Sequence, residues 1–145
     1  MNPCICSPRK LAKPGYETTS KVLVVDDDAD YYQNIAEILA EADYEVDTAS
    51  SGGDALKLIR MGKYEVALLD FSMPGMNGLE LFARLRTLSA ATGVIFVTAF
   101  ATSTEFAAAL EAGAREVIGK PLDIPKLMQL VGEAAKARAM QLGVC

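Results

Sequence analysis

Val66-Ala-Leu-Leu-Asp-Phe-Ser-Met-Pro-Gly75 is an apolar run that ends in a carboxylate and then turns through Pro74 and Gly75. A short apolar run bounded by turn signals reads as a buried strand of a parallel sheet, whose two covered faces erase polar/apolar alternation. Asp70 then stands at the carboxyl end of that strand, the edge at which open α/β sheets bind ligands. Taken alone, Asp70 has a plainer reading as a cap of the turn before the next helix. The other strand ends decide between the two.

Upstream, Lys21-Val-Leu-Val-Val25 is a β-branched run that opens into Asp26-Asp27-Asp28, which makes it the first buried strand. Ile35, Ile38, Leu39 and Ala42 follow at helical spacing, with Asp28 and Asp30 near the positive end of that helix. Glu45–Ala49 alternates as a second strand, and Ser51 with Asp54 opens a helix carrying Ala55, Leu58 and Ile59. After the strand to Asp70, Asn77 with Glu80 forms a capping box, and Leu81, Leu85 and Leu88 make the expected buried stripe. Gly93–Thr98 is a fourth strand, and Thr102 with Glu105 caps a helix carrying Phe106, Ala109 and Leu110 that Gly113 stops. Glu116–Lys120 is a short fifth strand, and Leu127, Leu130, Val131 and Ala134 mark a last helix running to about Leu142. Five strand–helix repeats imply a doubly wound α/β sandwich, a parallel sheet covered on both faces.

Composition sets bounds on function. The 145 residues, 51% hydrophobic and 23% charged, suit one domain with a proper core. Residues 1–20 read as a flexible extension, 21–142 as the domain and 143–145 as a tail. A net charge of −5 argues against non-specific binding to nucleic acid or an anionic membrane. Cys4, Cys6 and Cys145 lie at the chain ends and cannot staple a core, so the chain reads as reduced and cytoplasmic. Histidine is absent, which excludes His-based metal sites and Ser-His or Cys-His nucleophile pairs.

Side by side, the strand ends carry Asp26 and Asp27, then Asp70, Thr98 and Lys120. Three converging carboxylates repel one another unless compensated. Asp27, Asp70 and the backbone carbonyl of Ser72 suit the all-oxygen shell of Mg2+, with Asp26 holding a water of that shell. Lys120 balances the remaining charge and Thr98 offers a hydroxyl. Such a set fits transfer of a phosphoryl group to Asp70, the cations neutralising the phosphoryl oxygens while the carboxylate attacks in line.

Val22-Leu-Val-Val-Asp-Asp-Asp28, Leu68-Leu-Asp-Phe-Ser-Met-Pro-Gly-Met-Asn-Gly78, Val97-Thr-Ala99 and Gly119-Lys-Pro121 together resemble the receiver (CheY-like) domain of two-component response regulators. The resemblance covers roughly residues 20–140 and implies a flavodoxin-like (βα)5 fold with strand order 2-1-3-4-5. It also implies Asp70 as phosphoacceptor, Asp26 and Asp27 as the acidic pair around Mg2+, Thr98 as switch hydroxyl and Lys120 as phosphoryl contact. Lys120-Pro121 would be a cis peptide. The implied donor is a sensor histidine kinase or histidine phosphotransfer protein, and the implied output face is the fourth helix, fifth strand and fifth helix. One departure stands out: the position three before the lysine is usually Tyr or Phe, and here it is Val117. Either Val117 packs inside and the signal travels through Thr98 and the loop after it, or the rearrangement is small. Phe100 is placed to stand in for the missing ring and to slow hydrolysis of the phosphoryl group.

Only a helix's length of chain follows Lys120-Pro121, so output by contact with another protein is expected rather than an attached output domain. Ala107, Ala108 and Ala112 form a small-residue surface suited to close packing. Two alternatives stay open. Asp26-x-Asp28 resembles the nucleophile pair of haloacid-dehalogenase-type hydrolases, although position 30 is Asp where Thr or Val is usual and no cap domain fits. A phosphorylation-independent adaptor that keeps the fold is the other.

Overall fold

In the computed structural model, residues 20–71, 75–98, 103–120 and 123–141 are described. The elements alternate from end to end: β1 (Lys21–Val25), α1 (Ala29–Glu41), β2 (Glu45–Ala49), α2 (Gly52–Met61), β3 (Val66–Leu69), α3 (Gly78–Leu88), β4 (Gly93–Thr98), α4 (Ser103–Glu111), β5 (Glu116–Gly119) and α5 (Ile124–Gln141). The strands form one parallel sheet in the order β2-β1-β3-β4-β5, the order the resemblance implies.

The period of two along each strand sends alternate side chains to opposite faces. Leu23, Val25, Ala67, Leu69, Val94, Phe96 and Val117 point into a layer with Ala55, Leu56 and Ile59 of α2, Leu81, Phe82 and Leu85 of α3, and Ala109 of α4. Val22, Val24, Val66, Leu68, Ile95, Val97 and Ile118 face Ile35 and Leu39 of α1 and Leu127, Val131 and Ala134 of α5. Each fully buried aliphatic or aromatic side chain contributes roughly 1.5–3 kcal/mol, so the two layers dominate stability. The central strands β1, β3 and β4 are the apolar runs because they alone have helices over both faces and strands on both edges. The edge strand β2 is half-buried through Val46, Asp47 and Thr48, which explains its alternation.

Local chemistry fixes the helix starts. Asp28 caps α1, accepting from the Tyr31 N–H, and Ser51 caps α2, accepting from the Asp54 N–H. Asn77 and Glu80 form the expected capping box of α3; Thr102 lies outside the described residues. Gly113 ends α4 with φ +110°, and the Arg86 guanidinium of α3 donates to the Ala112 carbonyl at 3.2 Å, answering the negative end of α4.

Two expected stripes are corrected. Leu88 is 45% exposed while Phe82 is buried: Leu88 is the last residue of α3, and helical periodicity marks a face without showing how far the sheet beneath it extends. On α4, Phe106 and Leu110 are 40% and 39% exposed and only Ala109 of the three is buried, because that helix meets the sheet through its small residues.

Gly78 sets the approach of α3 to the sheet. A Cβ there would collide with the Asp70 carbonyl oxygen and lie 2.8 Å from the Phe71 Cα, and its N–H donates to the Phe71 carbonyl at 2.9 Å. Backbone cannot move aside as a side-chain tip can. Gly78→Ala is therefore expected to cost about 3 kcal/mol, the upper part of the range for overpacking, read as a lower urea midpoint at unchanged slope.

Tyr64, just before β3, is buried, and its hydroxyl donates to Asp47 Oδ2 of β2 at 2.6 Å. Burial, the Asp47 hydrogen bond and the carboxylate charge all push the phenol above its ordinary value of 10.0. The folded protein thus keeps a proton that the unfolded chain gives up. Its contribution is fully present below about pH 10 and is lost as pH rises beyond that. Stability is expected to be level from about pH 7 to 9 and to fall above about pH 10, with Tyr64→Phe flattening the alkaline fall.

Candidate functional site

Parallel register brings the carboxyl ends of neighbouring strands level. Val25 of β1 lies opposite Leu69 of β3, so the residues after them, Asp26 and Asp70, are neighbours. The ladder runs one residue beyond each strand: the Asp70 N–H donates to the Val25 carbonyl and the Asp26 N–H to the Ala49 carbonyl, both at 3.1 Å. Thr98 closes β4 opposite Gly119, and the Lys120 N–H donates to the Thr98 carbonyl at 2.9 Å. The backbone alone therefore delivers Asp26, Asp27, Asp70, Thr98 and Lys120 to one edge of the sheet.

The side chains of Asp26, Asp27, Asp70 and Lys120 converge there. Carboxylate oxygens of Asp26, Asp27 and Asp70 lie within 4.8 Å of one another. Asp26 is 4% exposed, Asp70 6% and Thr98 2%, while Asp27 is exposed. Lys120 Nζ sits 2.7 Å from Asp26 Oδ2 and 3.3 Å from Asp70 Oδ2. Burial disfavours the Lys120 ammonium, but the Asp26 hydrogen bond and the Asp70 charge outweigh it and hold the lysine above its ordinary value. It is a cation at neutral pH.

The acidic triplet divides by position. Asp26 turns inward, its Oδ1 accepting from the Asp28 N–H at 3.0 Å while its Oδ2 accepts from Lys120. Asp27 faces the edge. Asp28 is the helix cap, accepting from the Tyr31 N–H at 3.3 Å.

Three carboxylates against one ammonium leave the edge net negative. Hard oxygen donors in such a cluster fit a small divalent cation such as Mg2+ better than a soft metal. Ser72, the loop 99–102 with Phe100, and the Lys120-Pro121 peptide lie outside the described residues. Val117 is buried in register with Phe96, so the residue three before Lys120 is an aliphatic member of the core layer.

One group at the edge was not legible in the sequence. Lys120 Nζ lies 4.1 Å from the ring centroid of Tyr31, in the first turn of α1. The signal available was an aromatic pair, Tyr31-Tyr32, directly after the acidic triplet; only the helix phase set by the Asp28 cap tells which ring faces the lysine. Away from this edge, Leu79, Phe82, Ala83, Arg86, Ala108 and Ala112 line an open groove of about 450 Å³ between α3 and α4. No described helix is long and apolar enough to cross a membrane.

Comparison with known proteins agrees with this fold. Residues 22–132 match the family model described as response regulator receiver domain. A response regulator receiver protein of Anaeromyxobacter sp. is 34% identical over 110 residues, covering 76% of this chain and 46% of that protein. The chain spans about half the length of the first curated relatives it matches. Among solved structures, a CheY-like receiver domain protein from Methanospirillum hungatei superposes with TM-score 0.82 at 29% identity, covering 86% of this chain and 99% of that one. The response regulator protein TrrA from Thermotoga maritima, solved in complex with Mg(2+)-BeF, has TM-score 0.72 at 32% identity, covering 80% of this chain and 99% of its own. With its strand order, its acidic edge and the match over most of its length, the chain belongs to the receiver domain family of two-component response regulators.

Proposed function

We propose that Asp70 of this chain accepts a phosphoryl group from a phosphohistidine on a sensor histidine kinase or histidine phosphotransfer protein, and that the change is read by a downstream protein. Receiver domains as a family are phosphoryl-transfer switches, phosphorylated on aspartate and not enzymes in the usual sense. The observation that carries the assignment is the Asp26–Asp70–Lys120 cluster: Asp70 shares its edge with two further carboxylates, and the Lys120 ammonium bridges it to Asp26.

The Asp70 carboxylate oxygen attacks phosphorus in line as the P–N bond to the imidazole breaks, its electron pair leaving on the donor nitrogen. Lys120 lies within reach of charge that develops on the phosphoryl oxygens, and Thr98 stands at the end of the adjacent strand to donate its hydroxyl. Asp26, Asp27, Asp70 and the Ser72 carbonyl are the groups that would hold Mg2+, which supplies charge neutralisation during transfer. Asp26, already fixed by Asp28 N–H and Lys120, orients the acidic pair. The chain thereby promotes its own phosphorylation and hydrolysis.

A phosphohistidine donor of this kind supports a cytoplasmic setting for the chain. The exposed Phe106 and Leu110 of α4 support α4, β5 and α5 as the output face, and a net charge of −5 supports a protein rather than nucleic-acid contact. Titration with Mg2+ and beryllofluoride, followed by amide NMR, is expected to shift resonances around Asp70, Thr98 and Lys120 in the wild type and leave Asp70→Asn unmoved. A wild type that does not respond would establish the adaptor reading instead.

A further inference from the structure

We propose that Tyr31 is a positioning residue for Lys120: its ring face holds the ammonium at the acidic edge while the charge around Asp26 and Asp70 changes. The inference rests on the reading of Asp70 as phosphoacceptor. Among the described residues, three groups meet the ammonium, Asp26 Oδ2 at 2.7 Å, Asp70 Oδ2 at 3.3 Å and the Tyr31 ring at 4.1 Å from its centroid. A lysine side chain is a point charge on four flexible methylenes, and its direction is set by what surrounds the tip. Of these three partners, one is altered in the reaction and a second belongs to the site that would take up a cation. Asp70 becomes an acyl phosphate, and Asp26 belongs to the acidic cluster that would share its charge with a cation. The ring is neutral and changes in neither case, so its attraction for the ammonium persists throughout.

The ring is also held in place before Lys120 meets it. Tyr31 lies in the first turn of α1, its N–H bonded to the capping Asp28 side chain at 3.3 Å. Its ring packs against the core layer of Ile35, Leu39 and Leu127. Its hydroxyl is buried and makes no hydrogen bond among the described residues. The hydroxyl is therefore not the working part. A ring of the same shape without it should serve as well and raise the melting temperature, since a buried donor without a partner is unfavourable.

The experiment replaces residue 31 with Leu, with Phe, and with phenylalanines carrying one, two and three ring fluorines, which drain the π face while keeping its shape. Two quantities are read: the upfield ring-current shift of the Lys120 ε-protons in metal-free, unphosphorylated protein, and the rate of labelling from acetyl phosphate with Mg2+. The ε-proton shift is expected in wild type and Tyr31→Phe and to vanish in Tyr31→Leu. Labelling of Tyr31→Phe should match wild type within about twofold, each fluorine should slow it further, and Tyr31→Leu should be about tenfold slower. A flat fluorine series in a protein whose wild type is labelled, or no ring-current shift at Lys120, overturns the inference and leaves the role of Asp70 standing. A wild type that takes no label overturns the reading of Asp70 and this inference together. The fluorinated series keeps the test decisive even where Tyr31→Leu does not fold.

Discussion

Asp70→Asn should abolish phosphoryl uptake and yet leave the metal-free protein at least as stable as the wild type. The amide lacks the anionic oxygen that would attack phosphorus, and the buried neighbour Asp26 does not stand in for it, being committed through both oxygens, Oδ1 to the Asp28 N–H and Oδ2 to Lys120. Stability moves the other way because Asp26, Asp27 and Asp70 are crowded within 4.8 Å with a single ammonium among them. Removing one charge leaves Lys120 its shorter contact, the 2.7 Å pair with Asp26. The gain should be about 1 kcal/mol in urea titrations without divalent cation, the size of one like-charge contact screened by water. Added Mg2+ should reverse the order, since a ligand that binds only the folded wild type stabilises it by about 2.7 kcal/mol at roughly 100 times its Kd. Strain of this kind, tolerated where chemistry needs it and offset elsewhere in the fold, is the pattern expected of a functional site.

The largest effect on stability is expected from Phe96→Ala. Phe96 is fully buried in the middle of β4. It stacks on Phe71 with centroids 4.4 Å apart and rings 3° from parallel, and meets the Phe82 edge at 5.6 Å. Truncation removes the transfer energy of the ring, leaves a cavity and breaks both ring contacts, for a cost of about 4 kcal/mol. Phe96→Leu, which fills much of the space, should cost about 1.5 kcal/mol. The measurement is the urea midpoint at constant slope. Because Phe71 directly follows Asp70, Phe96→Ala should also loosen the acceptor end of β3, seen as faster amide exchange at Asp70 and Phe71 than at Val22 and Leu23.

The parts of the molecule that could be read from sequence are those the backbone decides. Apolar runs gave the strands, Ser51 and the Asn77–Glu80 pair gave helix starts, and strict alternation gave the parallel sheet. Asp26, Asp27, Asp70, Thr98 and Lys120 were legible for the same reason: in a parallel sheet every strand end reaches the same edge. Contacts made across strands and between layers were not legible. The Phe71–Phe96–Phe82 stack depends on the register of β3 against β4, and the Tyr31–Lys120 contact on the phase of α1 against β5, neither of which a linear pattern contains. Asp43 adopts φ 74°, a left-handed turn residue between α1 and β2 where glycine or asparagine would be the usual signal. Leu88 fits the helical period and is exposed as the last residue of its helix.

The most direct measurement is the site of phosphorylation itself: incubation with acetyl phosphate and Mg2+, intact mass, and proteolytic mapping of the modified peptide. The proposed role of Asp70 predicts one added phosphoryl group per chain, on the peptide containing Asp70, and none in Asp70→Asn. A phosphoryl group on Asp26, as a hydrolase using Asp26-x-Asp28 would carry, or no added mass in the wild type, would contradict it.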